Sequence, residues 1–301
     1  MTRTLPLQRT GHFNDVLLYA CSSLDENAAA RSSEIGRNRR TNSKMTVPNG
    51  AASAHDSIIA DQFTRQAAQF AASAVHHNQA ALDLLVEAAS PQPEDVSLDV
   101  ACGPGSVVAA FARRVRRAEG LDATEAMLEE ARKLAARKGL RNVVWHRGDV
   151  YAVPFAEGTF DIVSCRYAFH HLLEPARALA EMVRVCRDGG RIVLCDAFAS
   201  DDPVKAAAFN VMERHRDPST VEFRTLSFLR ALFAEARLPE PMERFYEVPA
   251  ELERFSPWPI PQATIGPACG RSSRRRWMAT RWASARGVRV ARCASSIRRW
   301  F

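Results

Sequence analysis

The segment Leu98-Asp99-Val100-Ala101-Cys102-Gly103-Pro104-Gly105 restricts the possible folds of this chain more than any other. A short apolar run broken by glycines and a proline, then followed by Ser106-Val107-Val108-Ala109-Ala110-Phe111, reads as a buried strand turning directly into a helix that runs to about Arg117. The alternation repeats. A second strand ends at Gly120-Leu121-Asp122 with a helix over 124–138 behind it, and strands three and four are expected at Asn142 to His146 and Thr159 to Cys165. A helix over 174–187 leads to a fifth strand, Gly190 to Cys195, and a helix from Ser227 to Arg237 precedes a strand near Met242 to Val248. Strands and helices alternating at this spacing build an α/β, doubly wound, mostly parallel sheet that binds its ligand at the carboxyl ends of the strands.

Two helices precede the first of these strands. Ile58, Ile59, Phe63, Ala67 and Phe70 recur at helical spacing, and a second helix runs from about His77 to Ala89 before Pro91 and Pro93 break it. An apolar stripe in front of the sheet is expected to act as a lid over the strand ends, so removal of residues 1–75 is expected to abolish activity and removal of 1–44 to leave it intact.

Charge divides the chain into three. The net charge of +7 over 301 residues is carried by the ends: residues 257–301 hold ten Arg with no Lys, Asp or Glu, and residues 1–44 hold seven basic against four acidic side chains. The stretch 45–256 is left at −6, with 24 basic and 30 acidic residues, so the basic total is no argument for a nucleic-acid partner. Residues 257–301 also carry four of the five Trp and lack any sustained period of 2 or 3.6. That Arg/Trp/Cys/Ser composition is what a GC-rich coding strand yields when read out of frame, and 257–301 is read as an irregular basic tail of that origin; an RNA-, DNA- or lipid-binding tail is the rival. Residues 1–44 end in a polar run before Met45 and are read as a disordered extension ahead of a natural start there, with a transit peptide as the alternative. The enzyme domain is expected over 45–256.

Seven scattered cysteines without a Cys-x-x-Cys pair argue against a disulfide framework and against a metal site. No run approaches the ~18 apolar residues of a spanning helix, which predicts a cytoplasmic protein without a membrane partner. Oligomeric state is not written in the sequence.

Three strand ends carry an acid each. Asp99 lies on the first strand beside a turn whose glycines, Gly103 and Gly105, let a ligand approach the backbone, where the following helix offers free N–H groups. A buried strand-end acid needs a cationic partner. Asp122 ends the second strand, placed to accept hydrogen bonds from ribose hydroxyls, and Gly148-Asp149-Val150 ends the third, where an adenine fits.

With these residues, and with Pro154-Phe155, Phe160-Asp161-Ile162-Val163, Phe169-His170-His171-Leu172 and Arg184-Val185-Cys186-Arg187-Asp188-Gly189-Gly190, residues 56–248 resemble a class I S-adenosylmethionine-dependent methyltransferase with its Rossmann-like fold, in the group resembling the quinone-biosynthesis C-methyltransferases. The resemblance implies S-adenosylmethionine as cofactor, its methionine end held by Asp99, Ala101, Gly103 and Gly105, its ribose by Asp122 with Ala123, its adenine by Asp149 and Val150, with Arg166 also in the cofactor site. Ala101 stands where the fullest motif has glycine. The family also closes its sheet with an antiparallel strand between the fifth and sixth, and that final strand is expected to be missing or aberrant here.

His170 and His171 follow strand four at the mouth of the site and are the catalytic candidates, either orienting the acceptor or removing a proton. Methyl transfer from a sulfonium rests mainly on alignment, so packing is the competing role for both. The run Glu213-Arg214-His215-Arg216-Asp217-Pro218 either lines the acceptor pocket or forms a solvated charged face. The expected reaction is methyl transfer to a small-molecule acceptor, a quinol-like ring carbon or an oxygen or nitrogen nucleophile. The alternatives are a nicotinamide-dependent oxidoreductase and a non-catalytic cofactor-binding remnant. Against the oxidoreductase, Val108 occupies the third glycine position of G-x-G-x-x-G, and an acid on the first strand would repel a pyrophosphate.

Overall fold

The computed structural model describes residues 15–22, 49–73 and 75–247. Its strands are β1 (Asp15–Ser22), β2 (Val96–Val100), β3 (Arg117–Asp122), β4 (Val143–Arg147), β5 (Phe160–Arg166), β6 (Cys186–Ala197) and β7 (Met242–Glu247), in the sheet order β4-β3-β2-β5-β6-β1-β7. β2 through β6 run parallel to their neighbours, and β1 is antiparallel to both β6 and β7. The helices are α1 (Asn49–Ala72), α2 (Gln79–Ala89), α3 (Ser106–Phe111), α4 (Glu125–Arg137), α5 (Pro175–Val185), α6 (Pro203–Arg216) and α7 (Leu226–Glu235), with a 3-10 turn at Phe169–His171.

Strand alternation feeds two cores. Val163 and Leu194 face Leu179, Met182, Leu229 and Phe233 on α5 and α7, while Ile162 and Val193 face Leu82, Leu85, Phe111 and Leu128 on α2, α3 and α4. Every residue of β2 is buried, as a strand covered by helices on both faces must be. Each wholly buried Leu, Ile or Phe contributes roughly 2 kcal/mol of transfer free energy, which fixes the sheet against its helices.

Two departures from the sequence reading have local causes and a third has a remote one. α3 stops at Phe111 rather than near Arg117 because the chain must turn back to start β3, and Asn142 Nδ2 donates to the carbonyls of Ala112 (2.9 Å) and Val115 (3.1 Å) at that turn. β6 begins at Cys186, with a register shift opposite Phe160 and Ile162 that lets it run through Gly189 and Gly190.

The third departure concerns the amino-terminal 44 residues. Asp15–Ser22 is a strand where the sequence reading expects only a disordered extension. It occupies the place between β6 and β7 that the family gives to its last strand, pairing Val16 with Ala197 through Ser22 with Arg191 on one side and Asp15 with Glu247 through Ala20 with Met242 on the other. A run too short for a membrane or secretory segment is long enough for a strand, and β1 supplies the hydrogen-bond partners that the edges of β6 and β7 would otherwise lack. Residues 257–301, read as an out-of-frame tail, lie outside the described residues.

Candidate functional site

The carboxyl ends of the parallel strands β2 to β6 share one edge of the sheet, and α1 meets the loop after β5 there through His55 and Phe63, which contact His171. Asp99, 3% exposed, sits near the end of β2 and accepts a hydrogen bond from Ser164 Oγ on β5 at 2.6 Å. Burial pushes its carboxyl up to about 7, against the opposing pull of the Ser164 hydroxyl and the Arg166 guanidinium. A carboxylate this far from water is stable as an anion only beside a cation.

The turn after β2 is left-handed at three positions: Ala101 (φ +55°), Gly103 (+51°) and Gly105 (+79°). At Gly103 no heavy atom lies within 4 Å of where a Cβ would stand, so the backbone is open to an incoming group. At Gly105 a Cβ would come within 2.6 Å of the Trp145 ring and 2.9 Å of Ala131 Cβ, so this glycine serves the packing of α3 against α4 and β4. Ala101 carries the strain an L-residue meets at positive φ, about 1–2 kcal/mol. Restoring glycine by Ala101→Gly should raise stability by ~0.5–1 kcal/mol, part of the relief being offset by the entropy glycine gains when unfolded, and a thermal melt of the two proteins checks it.

Asp122 organises the same turn from the end of β3. Its Oδ2 accepts from the Gly103 N–H at 2.8 Å and its Oδ1 from the Thr124 N–H at 2.9 Å, leaving further lone pairs on both oxygens. Burial raises its carboxyl above the ordinary value while those two donors hold it down. Gly148 N donates to the Asp122 carbonyl at 3.1 Å, which brings the end of β4 alongside. There Asp149 is exposed and caps the Tyr151 N–H (2.9 Å), Val150 is half-buried, and Ala123 is exposed.

Arg166, at the end of β5, gives its two η nitrogens to the carbonyls of Val75 and His76 (3.1 and 3.2 Å) and lies over the Tyr167 ring, so it ties the α1–α2 connection to the sheet. Arg166 Nε, His76 Nδ1 and Gln66 Oε1 are buried without a hydrogen-bond partner among the described residues. Unmet polar demand of this kind, on and around an arginine whose charge reaches the buried Asp99, fits a ligand carrying both donors and acceptors.

The two histidines separate on inspection. His170 Nδ1 lies 2.8 Å from Asp196 Oδ1, and the His170 backbone N–H donates to Asp196 Oδ2 at 3.1 Å. Its ring is stacked on Phe223 at 4.2 Å and 10°. His171 turns the other way: its Nδ1 meets the Ser219 carbonyl at 3.0 Å and Ser219 Oγ at 3.1 Å, its carbonyl meets His55 Nε2 at 2.9 Å, and Phe63 packs edge-on at 5.1 Å. Burial and the neighbouring His170 lower its pKa to about 3, which keeps the imidazole neutral. His171 thus joins α1 to the 217–220 turn, and His170 is the one with a carboxylate behind it.

α1 lies over this cluster with most of the stripe its sequence suggests: Phe63 packs on His171, Phe70 packs on His76 and Ala67 is buried, while Ile58 turns outward. Ile58 is 43% exposed, whereas Gln62 and Gln66 are 8% and 5% exposed and Gln62 Nε2 donates to Asp217 Oδ1 at 3.3 Å. A helix that buries glutamines is covering something polar. The charged run at 213–218 is divided: Glu213 and Asp217 are buried, and Asp217 holds the Ser219 N–H (3.0 Å) and hydroxyl (2.6 Å), while Arg214 and His215 are exposed.

Sequence reasoning missed Ser164, Asp196, Gln66, Thr220 and Phe223. Asp196 was within reach, since it ends a buried strand as Asp99 and Asp122 do; the others lack a sequence signal because their partners lie on distant elements. Among the described residues no His/Cys/Asp/Glu cluster has metal-binding geometry, and no helix is long and apolar enough to cross a membrane.

Residues 98–194 match the family model described as a methyltransferase domain. The solved structure of YcgJ from Bacillus subtilis shares 37% identity and a TM-score of 0.52 over 54% of this chain and 69% of that one. In sequence, YcgJ, named as an uncharacterized methyltransferase, is 38% identical over 157 residues, 52% of this chain and 62% of its own length. The ubiquinone/menaquinone biosynthesis C-methyltransferase UbiE of Roseobacter denitrificans is 34% identical over 125 residues, covering 40% of this chain and 50% of that enzyme. The chain therefore spans about half to three fifths of the curated relatives it matches. Shared fold and sequence over more than two thirds of the solved relative place this chain in the class I S-adenosylmethionine-dependent methyltransferase family.

Proposed function

We propose that the chain transfers a methyl group from S-adenosylmethionine to a small-molecule acceptor that enters beside His170 under α1. The observation that carries the reading is the buried Asp99 carboxylate next to the open backbone at Gly103. The bound cofactor supplies an electrophilic methyl on a sulfonium. Asp99 accepts from its amino group, and the turn Ala101, Gly103 and Gly105 gives its methionine portion close approach. Asp122 with Ala123 takes the ribose, Asp149 and Val150 flank the adenine, and Arg166 holds the α1–α2 connection that closes the methionine end. What α1 adds is exclusion of water, which strengthens each of these polar contacts.

Asp99 gives the reading a pH signature. Its folded pKa of about 7 lies above the ordinary carboxylate value, so in the cofactor-free protein its contribution to stability is fully present near pH 4 and is lost as pH rises through 7. The loss is on the order of a few kcal/mol. A cationic amino group favours the ionised form and recovers it. Cofactor affinity should therefore rise between pH 6 and pH 8, and Asp99→Asn should flatten that dependence, as calorimetric titrations at the two pH values would reveal.

Activity itself is tested by incubating the full chain with methyl-labelled S-adenosylmethionine and a small-molecule metabolite extract. Labelled product and S-adenosylhomocysteine should appear in equal amounts. Cofactor binding with no labelled product would reduce the chain to a binding remnant.

A further inference from the structure

We infer that the acceptor is a small planar molecule with a weakly acidic hydroxyl, a phenol or enol, and that the His170–Asp196 pair takes its proton. The inference rests on the methyl-transfer reading above and assigns the substrate class of that same site. The first ground is the way His170 is held. With Nδ1 against a carboxylate at 2.8 Å, the neutral ring carries its hydrogen on Nδ1 and its lone pair on Nε2. Phe223 stacks on the ring (4.2 Å, 10°), His171 packs against it tilted by 44° (4.1 Å), and Asp196 also takes the backbone N–H of the same residue. Rotation of the imidazole is blocked, and Nε2 makes no hydrogen bond among the described residues.

The second ground is what surrounds it. Val221 and Glu222 donate their N–H groups to the His170 carbonyl, which brings the adjoining Thr220 to the same turn. Thr220 Oγ1 is buried without a hydrogen-bond partner among the described residues, and so is Gln66 Oε1 on α1, one turn from Gln62 and its bond to Asp217. Phe63 and Phe70, half-buried and edge-on to each other at 5.4 Å, add aromatic surface on the same helix. Aromatic walls suit a flat ring, and an unsatisfied hydroxyl and amide oxygen suit a ring bearing hydroxyls.

The chemistry of the nucleophile selects among classes. An alkylamine is cationic at neutral pH and is repelled by the sulfonium, so it reacts through its neutral form with its own lone pair, and a carboxylate is already ionised at neutral pH. A phenolic hydroxyl, with a pKa near 10, becomes nucleophilic only as its proton leaves, so a carboxylate-backed base is useful to this class above the others. In the step, an oxygen lone pair forms the bond to the methyl carbon while the carbon–sulfur bond breaks and its electron pair goes to sulfur. The hydroxyl proton moves to His170 Nε2, Asp196 balances the imidazolium, and the proton passes to solvent after product leaves. Asp196 is a positioning residue, acting through His170.

The test uses the full chain, labelled S-adenosylmethionine and three probes: catechol, which keeps its protons near neutral pH; 4-nitrophenol, which is largely ionised at pH 8; and benzylamine. The wild type should methylate catechol in preference to benzylamine. His170→Gln should lower kcat on catechol by roughly 10²–10⁴-fold with KM within a few-fold, while the rate on 4-nitrophenol, which needs no base, changes by less than about tenfold. Asp196→Asn should repeat that split, and Asp196→Glu should recover part of it. Since Asp196 is buried, thermal melts accompany its variants, and the His170→Gln result stands if they do not fold. Preference for benzylamine, no transfer to either phenol while S-adenosylhomocysteine still binds, or equal losses on both phenols in His170→Gln would each overturn the inference. Failure of the wild type to bind S-adenosylhomocysteine would overturn the methyl-transfer reading itself.

Discussion

A chain shortened to begin at Met45 should lose its cooperative fold. That change removes β1, leaving β6 unpaired from Arg191 to Ala197 and β7 unpaired from Met242 to Glu247. Two facing strand edges inside a sheet cannot both be satisfied by water without separating, and β7 would be cut off from the sheet it ends. Tyr246 would lose its place, along with its hydroxyl contacts to Tyr167 (2.7 Å) and Cys195 Sγ (3.3 Å) behind the cofactor turn. Against a total stability of about 5–15 kcal/mol for a typical domain, loss of an interior strand is decisive. The expected result is aggregation or a broad, non-cooperative thermal transition. A soluble, cooperatively folded monomer would show that another segment fills the place between β6 and β7. The sequence reading expected this truncation to be harmless, and β1 reverses that expectation.

The contrast between β1 and β2 marks where sequence reading works. Val96–Val100 is legible because its burial, its glycine turn and its following helix are all local, and the same holds for β3 to β6 and the helices between them. Asp15–Ser22 has no such neighbours in sequence; its partners lie some 170 and 220 residues away, and no periodicity records a pairing so remote. The site divides on the same line. Asp99, Gly103, Asp122 and Asp149 stand out because a strand end followed by glycine or an acid is a local pattern. The Ser164 hydroxyl on Asp99, the Asp196 carboxylate on His170 and the buried glutamines of α1 exist only once distant elements meet. The apolar stripe of α1 is legible from its spacing, apart from the exposed Ile58, but the glutamines buried beside it carry no sequence signal.

The second large effect falls on the cofactor. Asp122→Ala removes the side chain of β3 that accepts from the Gly103 N–H, and with it the acceptor proposed for the ribose hydroxyls. Hydrogen bonds to a charged group in a closed site are worth about 1.5–3 kcal/mol, so cofactor affinity should fall by roughly 10- to 150-fold. Asp122→Asn keeps one oxygen and should lose less. Asp99→Ala acts at the amino group of the methionine portion and should cost a similar amount.

Calorimetric titration of the full chain with S-adenosylhomocysteine, with NAD as the parallel ligand, bears on the central claim without waiting for an acceptor to be found. Saturable one-site binding of S-adenosylhomocysteine, weakened in both Asp99→Ala and Asp122→Ala, and no binding of NAD is the result predicted here. Binding of NAD in its place, or S-adenosylhomocysteine affinity unchanged in both variants, would contradict the assignment of these strand ends to a methyl donor.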